Sequence, residues 1–211
     1  MIFLDFNRRV IECRLSALLL TKYKTGKVLL EGIPTLKEVQ TKIYDVSLER
    51  IMFQLDYAFA RPNKQPNEIF SRKEVCEMLD ITDETFAEKI LGQNTQEVQE
   101  FNLYDRAEHV FTEALRVEQF KNICDENSGD NTMTKLGLLM DGSHWSCSKK
   151  YECSSIELDE LTTIARNNGA LGSRLTGAGW GGCSGTVEYS LYSFLFEKKT
   201  FSTEVSFISS G

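Results

Sequence analysis

Two long segments of the chain repeat apolar residues at the three- and four-residue spacing of an amphipathic helix. The first, residues 8–23, is predicted to be a helix that ends at Lys24-Thr25-Gly26. We expect its basic side chains to face water: Arg8, Arg9, Arg14 and Lys22. The second, residues 103–123, carries a broad apolar stripe: Leu103, Ala107, Val110, Ala114 and Val117, widened by Phe111, Leu115 and Phe120. A stripe of this width predicts a helix packed on the core.

Shorter helices are predicted from apolar spacing and from capping residues. Apolar residues at helical spacing indicate helices near residues 36–43 and 133–141. Three helix starts are marked by residues that can cap the first turn: Ser71 with Glu74, Thr82, and Ser154 with Glu157. Asn168-Gly169 is expected to end the last of these helices in a left-handed turn. Residues 61–66 and 125–131 are polar and rich in turn formers, which indicates loops.

The last third of the chain changes from helical spacing to short segments that are typical of strands. Residues 171–176 are predicted to form a strand, and residues 183–189 are typical of a turn followed by a second strand. The glycine-rich residues 177–182 lie between them. A helix followed by two strands and a glycine loop predicts helices packed on a mostly antiparallel sheet, which is the α+β fold class.

The glycine-rich stretch at residues 172–183 is the strongest indication of a functional site. Five of its first eleven residues are glycine, which indicates special backbone geometry or a close approach to the main chain. Successive amides can bind a phosphate, with support from polar side chains. The candidate residues for this phosphate site are Gly172, Ser173, Arg174, Thr176, Gly177, Gly179, Gly181 and Gly182. The alternative is a tight glycine hairpin beside a buried strand.

Two known phosphate-binding patterns match the glycine spacing but not its surroundings. Gly177-x-Gly179-x-x-Gly182 has the spacing of the dinucleotide fingerprint, which needs a helix after it, whereas a strand is predicted here. The spacing from Gly177 to Gly182 also matches a Walker A loop. However, Cys183 occupies the position of the lysine that must reach the β- and γ-phosphates. The sequence therefore excludes both patterns.

Composition and charge narrow the class of protein. The 211 residues carry a formal net charge of −7, and Lys and Arg do not gather on one helical face. We therefore expect no nucleic-acid partner. The apolar run at residues 17–20 is far too short to cross a membrane, and no cationic leader with a cleavage site precedes it. We expect a cytoplasmic, monomeric protein without a membrane partner.

The six cysteines and two histidines do not form a recognisable metal or disulfide pattern. The cysteines are spread without a framework spacing, which favours reduced thiols. His144, Cys147 and Cys153 are close in sequence, but a fourth zinc ligand is missing, so we expect no metal site. His109 has acidic neighbours on the long predicted helix and is a conceivable base, although a packed or solvated histidine is favoured.

Several motifs, taken together, resemble one family. Residues 173–183, Ser-Arg-Leu-Thr-Gly-Ala-Gly-Trp-Gly-Gly-Cys, resemble the third motif of the GHMP small-molecule kinases in its galactokinase form. Within that family, Ala178-Gly179-Trp180 is most similar to the N-acetylgalactosamine kinase branch. Further similar segments follow the family's order, at residues 6–14, 94–98, 103–110, 143–147 and 151–159. The resemblance covers about residues 5–187, and the sequence departs from the family's next strand from Ser184 onward.

This resemblance implies a fold, a reaction and a set of ligands. It implies a galactokinase-like GHMP kinase C-terminal domain at residues 1–187, with an α+β fold, and a divergent tail at residues 188–211. The implied reaction transfers the γ-phosphate of ATP to the anomeric hydroxyl of galactose or N-acetylgalactosamine, with ATP and Mg²⁺ as cofactors. The glycine loop would then shape the sugar and phosphate sites. Phe6 and Asn7 are implied to lie near the sugar, and the alternative for Phe6 is a core position.

Two other motifs of the family do not occur in these 211 residues. One is the Gly-Glu-His-x-Asp motif that grips the sugar, and the other is the Pro-x-x-x-Gly-Leu-Ser-Ser-Ser loop around the nucleotide phosphates. The family's catalytic aspartate also precedes the matched region, so we assign no catalytic residue. Two hypotheses stay open: the C-terminal part of a sugar 1-kinase, or a non-catalytic galactokinase-like sugar- or partner-binding protein or unproductive truncated product.

Overall fold

The chain divides into two compact units, Met1–Leu115 and Arg116–Gly211. The computed structural model describes residues 2–126, 131–188 and 205–209, and it describes side chains within residues 5–126 and 131–188. Each unit contains helices and a small antiparallel sheet.

The first unit is mainly helical and includes a short strand pair. Its helices are α1 (Ile2–Thr25), α2 (Leu36–Glu38), α3 (Leu48–Ala58), α4 (Arg72–Leu79), α5 (Asp83–Lys89) and the first part of α6 (Leu103–Glu126). A π-helical segment, Val39–Tyr44, continues α2. Strands β1 (Phe70–Ser71) and β2 (Glu100–Phe101) pair antiparallel, with Phe70 opposite Phe101.

Helix α1 contributes much of the first unit's core. The helix predicted at residues 8–23 is confirmed and extends over Ile2–Thr25. Leu15, Leu18 and Leu20 are fully buried, and the polar residues Ser16 and Thr21 are buried with them. Each of these hydroxyls lies within hydrogen-bond distance of the carbonyl oxygen four residues earlier, so it is satisfied inside the helix. Burial of these two polar side chains therefore leaves no unpaired donor.

The prediction that Arg9 faces water on α1 is wrong. Its side chain is buried and donates from Nη1 to Glu12 Oε2 at 3.1 Å. Glu12 is itself fully buried and also accepts from Arg8 Nε at 3.3 Å, Arg106 Nε at 2.7 Å and the Asn102 amide at 2.9 Å. Arg9 is inside the protein because a buried carboxylate, which also binds α6, balances its charge.

The predicted caps of the first unit are confirmed. Ser71 and Glu74 bond reciprocally at the start of α4, and Thr82 caps α5. The helix predicted near residues 36–43 is α2 with its π-helical continuation. Residues 61–66 are a turn-rich loop, closed by a bridge between Arg61 and Lys64.

Helix α6 forms as predicted, but its apolar stripe is only partly core. Leu103, Ala107 and Phe111 are buried, whereas Val117 is 67% exposed. The buried part of the stripe therefore ends near the border of the first unit. The loop predicted at residues 125–131 begins inside α6, and residues 127–130 lie outside the described ranges. Neither α6 nor another helix in the described part of the chain has the length and apolar character of a membrane span.

The second unit packs helices on an antiparallel sheet. Helix α7 (Thr132–Ser146) continues as a π-helical segment, Cys147–Tyr151, and is followed by α8 (Ile156–Asn167). The sheet has the order β3 (Gly172–Thr176), β4 (Cys183–Val187) and β5 (Val205–Ser209), all antiparallel. This confirms the α+β class and both predicted strands. Strand β5 lies in the divergent tail, where the sequence pattern predicted no strand.

Helix α7 approaches β3 closely because each contributes a glycine at the contact. A β-carbon at Gly137 of α7 would come within 2.1 Å of the Leu171 carbonyl oxygen. A β-carbon at Gly172 would come within 2.1 Å of the Gly137 carbonyl oxygen. A side chain at either position would force the helix and strand apart. Gly172 therefore serves the packing of β3, directly before the glycine loop.

Helix α8 begins one residue later than its predicted cap. Ser155, rather than Ser154, accepts a hydrogen bond from the amide of Leu158 at 3.3 Å. The hydroxyl of Ser154 instead donates to Asp159 Oδ1 at 2.5 Å. The predicted left-handed turn after the helix is confirmed by Gly169, whose φ is 98°.

Candidate phosphate-binding loop

The loop between β3 and β4 has an unusual backbone conformation. Positive φ values occur at five of the six residues 177–182: Gly177 (80°), Gly179 (84°), Trp180 (57°), Gly181 (134°) and Gly182 (101°). Glycine reaches these angles at little steric cost, which explains why this segment is glycine-rich. A β-carbon added at Gly177, Gly181 or Gly182 would meet nothing within 4 Å. Space is therefore available for a ligand beside the main chain.

One side of the loop is fixed to Cys153, two residues after α7's π-helical extension. The amide of Trp180 donates to the carbonyl of Cys153 at 2.7 Å. A β-carbon at Gly179 would lie 2.0 Å from the same carbonyl oxygen, so only glycine fits there. The Trp180 side chain packs against a buried cluster that includes Leu158 and Leu175. The loop thus has one anchored side and one open side.

The three polar side chains predicted to support phosphate binding, Ser173, Arg174 and Thr176, differ in burial and in hydrogen-bond partners. Ser173 is buried in β3, and its hydroxyl lies 3.2 Å from Thr186 Oγ1 on β4. Arg174 is partly buried and donates from Nε to the carbonyl of Leu175 at 3.0 Å. Thr176 ends β3 opposite Cys183. The structure therefore brings the predicted residues together in one hairpin, although Gly172 and Ser173 lie in its buried strand.

Two side chains that sequence reasoning did not assign to the loop hold the outer edge of β3. The Ser173 amide donates to Asp141 Oδ1 at 3.0 Å, and the Leu175 amide donates to His144 Nδ1 at 3.2 Å. Asp141 and His144 are three residues apart on α7 and thus lie on one helix face. Their three-residue spacing could have indicated that they act together. It could not indicate their partners, because these are main-chain amides, which every strand residue except proline has.

His144 lines a cleft of about 330 Å³ between α7 and α8. Its Nε2 is 3.1 Å from Asp159 Oδ1 and 3.0 Å from Thr162 Oγ1. Burial lowers the pKa of His144, and the carboxylate of Asp159 opposes this shift only in part. His144 is accordingly neutral at neutral pH. Asp141 also forms an ion pair with Arg166, at 3.1 Å.

The other predicted candidates lie in the first unit. Phe6 and Asn7 are on the first turns of α1, and the Phe6 side chain is 49% exposed, so it is not a core residue. Their proximity to a sugar stays a prediction. His109 is buried in α6, as expected for a packed histidine.

The zinc grouping considered from sequence does not form. His144 is hydrogen-bonded as described above, while Cys147 and Cys153 are buried in the cluster under Trp180. Within residues 5–126 and 131–188, no three His, Cys, Asp or Glu side chains are arranged to hold a metal ion.

A comparison with known protein families identifies the class. Residues 117–187 match the family model described as "GHMP kinases C terminal". This match includes α7, α8, β3, the glycine loop and β4. Residues 117–187 therefore form a GHMP kinase C-terminal domain.

Within that class, the chain is homologous to galactokinases. It is 40% identical over 195 residues to the galactokinase of Dictyostelium discoideum, covering 85% of this chain and 37% of that protein. It is 41% identical over 118 residues to the galactokinase of Saccharomyces cerevisiae, covering 54% and 22%. The Enterococcus faecalis galactokinase is 45% identical over 83 residues, covering 39% and 20%. The chain thus spans well under half the length of the relatives it matches.

Proposed function

We propose that this chain is the C-terminal part of an ATP-dependent sugar 1-kinase, of the galactokinase or N-acetylgalactosamine kinase type. The proposed reaction transfers the γ-phosphate of ATP to the anomeric hydroxyl of the sugar. In this proposal residues 177–182 line the phosphate side of the active site. Residues 1–187 act as one galactokinase-like region in a cytoplasmic, monomeric protein, and residues 188–211 are a tail.

The observation that carries the proposal is the conformation of the glycine loop. Successive main-chain amides in a turn can form an anion-binding concavity, and the positive φ values at residues 177–182 give the loop a turn conformation of this kind. The open space beside Gly177, Gly181 and Gly182 allows a phosphate to approach this backbone. Electrostatic contacts of this kind supply much of the catalysis of phosphoryl transfer. The similarity to galactokinases supports a sugar as the acceptor.

The residues of this chain fit a phosphate group better than a metal ion. The loop provides room and main-chain donors, whereas no cluster of metal ligands occurs among the described side chains. Magnesium bound with ATP would neutralise charge on the transferred phosphate. We assign no Mg²⁺ ligand to this chain, and its own contribution is to bind and orient phosphate oxygens.

Substitution of Gly182 by alanine is expected to weaken catalysis by filling the open side of the loop. The assay uses a chimaera in which this chain replaces the aligned segment of the D. discoideum galactokinase. We expect kcat/KM for ATP to fall about 10- to 100-fold, because a methyl group would separate phosphate from main-chain donors. Gly169→Ala is the matched control, since Gly169 has nearly the same φ (98° against 101°) and equally open surroundings. Equal losses in both variants would contradict a phosphate role for the loop.

We also predict a preference for N-acetylgalactosamine over galactose. The basis is the Ala178-Gly179-Trp180 sequence and Phe6, which resemble that branch of the family. In the same chimaera, the ratio of turnover on N-acetylgalactosamine to turnover on galactose is expected to exceed that of the parent galactokinase. An unchanged or lower ratio would contradict the assignment of the sugar.

A further inference from the structure

Two side chains of α7 accept hydrogen bonds from main-chain amides on the outer edge of β3. These amides belong to the last two residues on that edge before the glycine loop. The amides of Ser173 and Leu175 use Asp141 and His144 as acceptors. The bond from Leu175 lies two residues before Gly177, where the backbone turns into the left-handed region. A change at this bond therefore acts directly on the start of the loop.

The bond from Leu175 defines the protonation state of His144. A main-chain amide can only donate, so Nδ1 of the imidazole must be unprotonated to accept at 3.2 Å. The proton of the neutral ring is then on Nε2, which faces Asp159 Oδ1 at 3.1 Å and Thr162 Oγ1 at 3.0 Å. A second proton would be on Nδ1 and would point at the amide hydrogen of Leu175. The observed arrangement requires the neutral imidazole.

We propose that neutral His144 is a positioning residue for the glycine loop, and that its protonation releases the end of β3 and with it residues 177–182. The expected effect of this protonation on catalysis rests on the proposed function of the loop. The effect on the conformation of the loop does not depend on that function. At this edge His144 accepts the hydrogen bond from the Leu175 amide that a neighbouring strand would otherwise accept.

Burial, more than the charges around His144, determines the direction of the pH effect. Asp159 on α8 and Asp141 on α7 favour the protonated ring, while Arg174 on β3 and burial disfavour it, and burial is the largest effect. The positively charged side chains of Lys149 and of Arg166 on α8 line the same cleft. The pKa of His144 in the folded protein is thus below the ordinary value of about 6.5. The unfolded chain binds the proton first, so the contribution to stability is complete above about pH 6.5 and is lost as the pH falls toward the folded pKa.

The test is an NMR titration of the full 211-residue chain, without nucleotide or sugar. The chain has two histidines, so a His109→Gln variant identifies the His144 imidazole signal. We expect the amides of residues 175–182 to shift with the same midpoint as that imidazole, with Nε2 protonated at neutral pH. Loop amides that do not respond, or that titrate at a different midpoint, would overturn the proposal.

Two variants separate positioning from general packing. In His144→Asn the amide oxygen is close to the former Nδ1 position and can accept from Leu175, so the loop is expected to stay ordered and lose its pH response. His144→Gln extends past that position, so the Leu175 amide is expected to exchange with solvent about 5- to 10-fold faster. Equal behaviour of the two variants would overturn the role of Nδ1. ATP is then added as a separate readout: an absence of loop shifts would count against the phosphate site, while the titration alone decides the role of His144.

Discussion

Replacement of Glu12 by glutamine is expected to lower the free energy of unfolding of the first unit by about 3–5 kcal/mol, the range for breaking a buried ion pair. Glu12 is fully buried and accepts hydrogen bonds from Arg8, Arg9, Arg106 and the Asn102 amide. Glutamine is similar in size but uncharged, and its NH₂ group would face an arginine donor. Two buried guanidinium groups would then lose the carboxylate that they share.

Urea unfolding followed by circular dichroism provides the measurement. Both tryptophans, Trp145 and Trp180, are in the second unit, so their fluorescence is an internal reference in the same sample. Arg14→Gln is the matched control, because Arg14 is an exposed charged residue on the same helix. We expect the control to change stability by less than about 0.5 kcal/mol. A Glu12→Gln protein as stable as this control would show that the buried charge cluster contributes little to the fold.

The same cluster shows where sequence reasoning about the fold stops. Helical spacing correctly predicted α1 and α6, because apolar periodicity is a local property of the sequence. It wrongly predicted that Arg9 faces water. Arg9 is buried because it pairs with the carboxylate of Glu12, which also binds Arg106, ninety-four residues further along the chain. Pairing of charges across that distance leaves no periodic signal. Only the folded chain shows which arginine has a buried partner.

The candidate site was predictable to a similar extent. The glycines at residues 177–182 predicted a loop with special backbone angles, and the positive φ values confirm it. Gly172 belongs to the same glycine-rich stretch, yet it lies in β3 against Gly137, and a sequence does not distinguish packing from ligand approach. Asp141 and His144 were missed as edge residues because their partners are the amides of Ser173 and Leu175, and every residue type except proline has such an amide.

The 211-residue chain on its own is expected to produce no sugar 1-phosphate above background. The sugar-gripping motif and the nucleotide loop of the family do not occur in this sequence. Transfer from ATP needs the γ-phosphate in line with the sugar hydroxyl and its charge balanced by donors and magnesium. The glycine loop provides one part of these contacts. The purified chain, ATP, Mg²⁺ and either galactose or N-acetylgalactosamine are the components of the assay, with the D. discoideum galactokinase as the positive control.

The expected absence of turnover follows from the number of catalytic groups that phosphoryl transfer requires. Removing a single transition-state donor commonly costs about 100- to 1,000-fold in rate, and this chain is without several such groups at once. Proximity provided by the loop alone does not compensate, because effective catalysis needs both reactants held in one geometry. Weak binding of ATP by residues 177–182 is compatible with this result, since binding needs fewer contacts than transfer. Turnover by the native chain that disappears in Arg174→Ala or Gly179→Ala would contradict the prediction and would place a complete kinase site within these 211 residues.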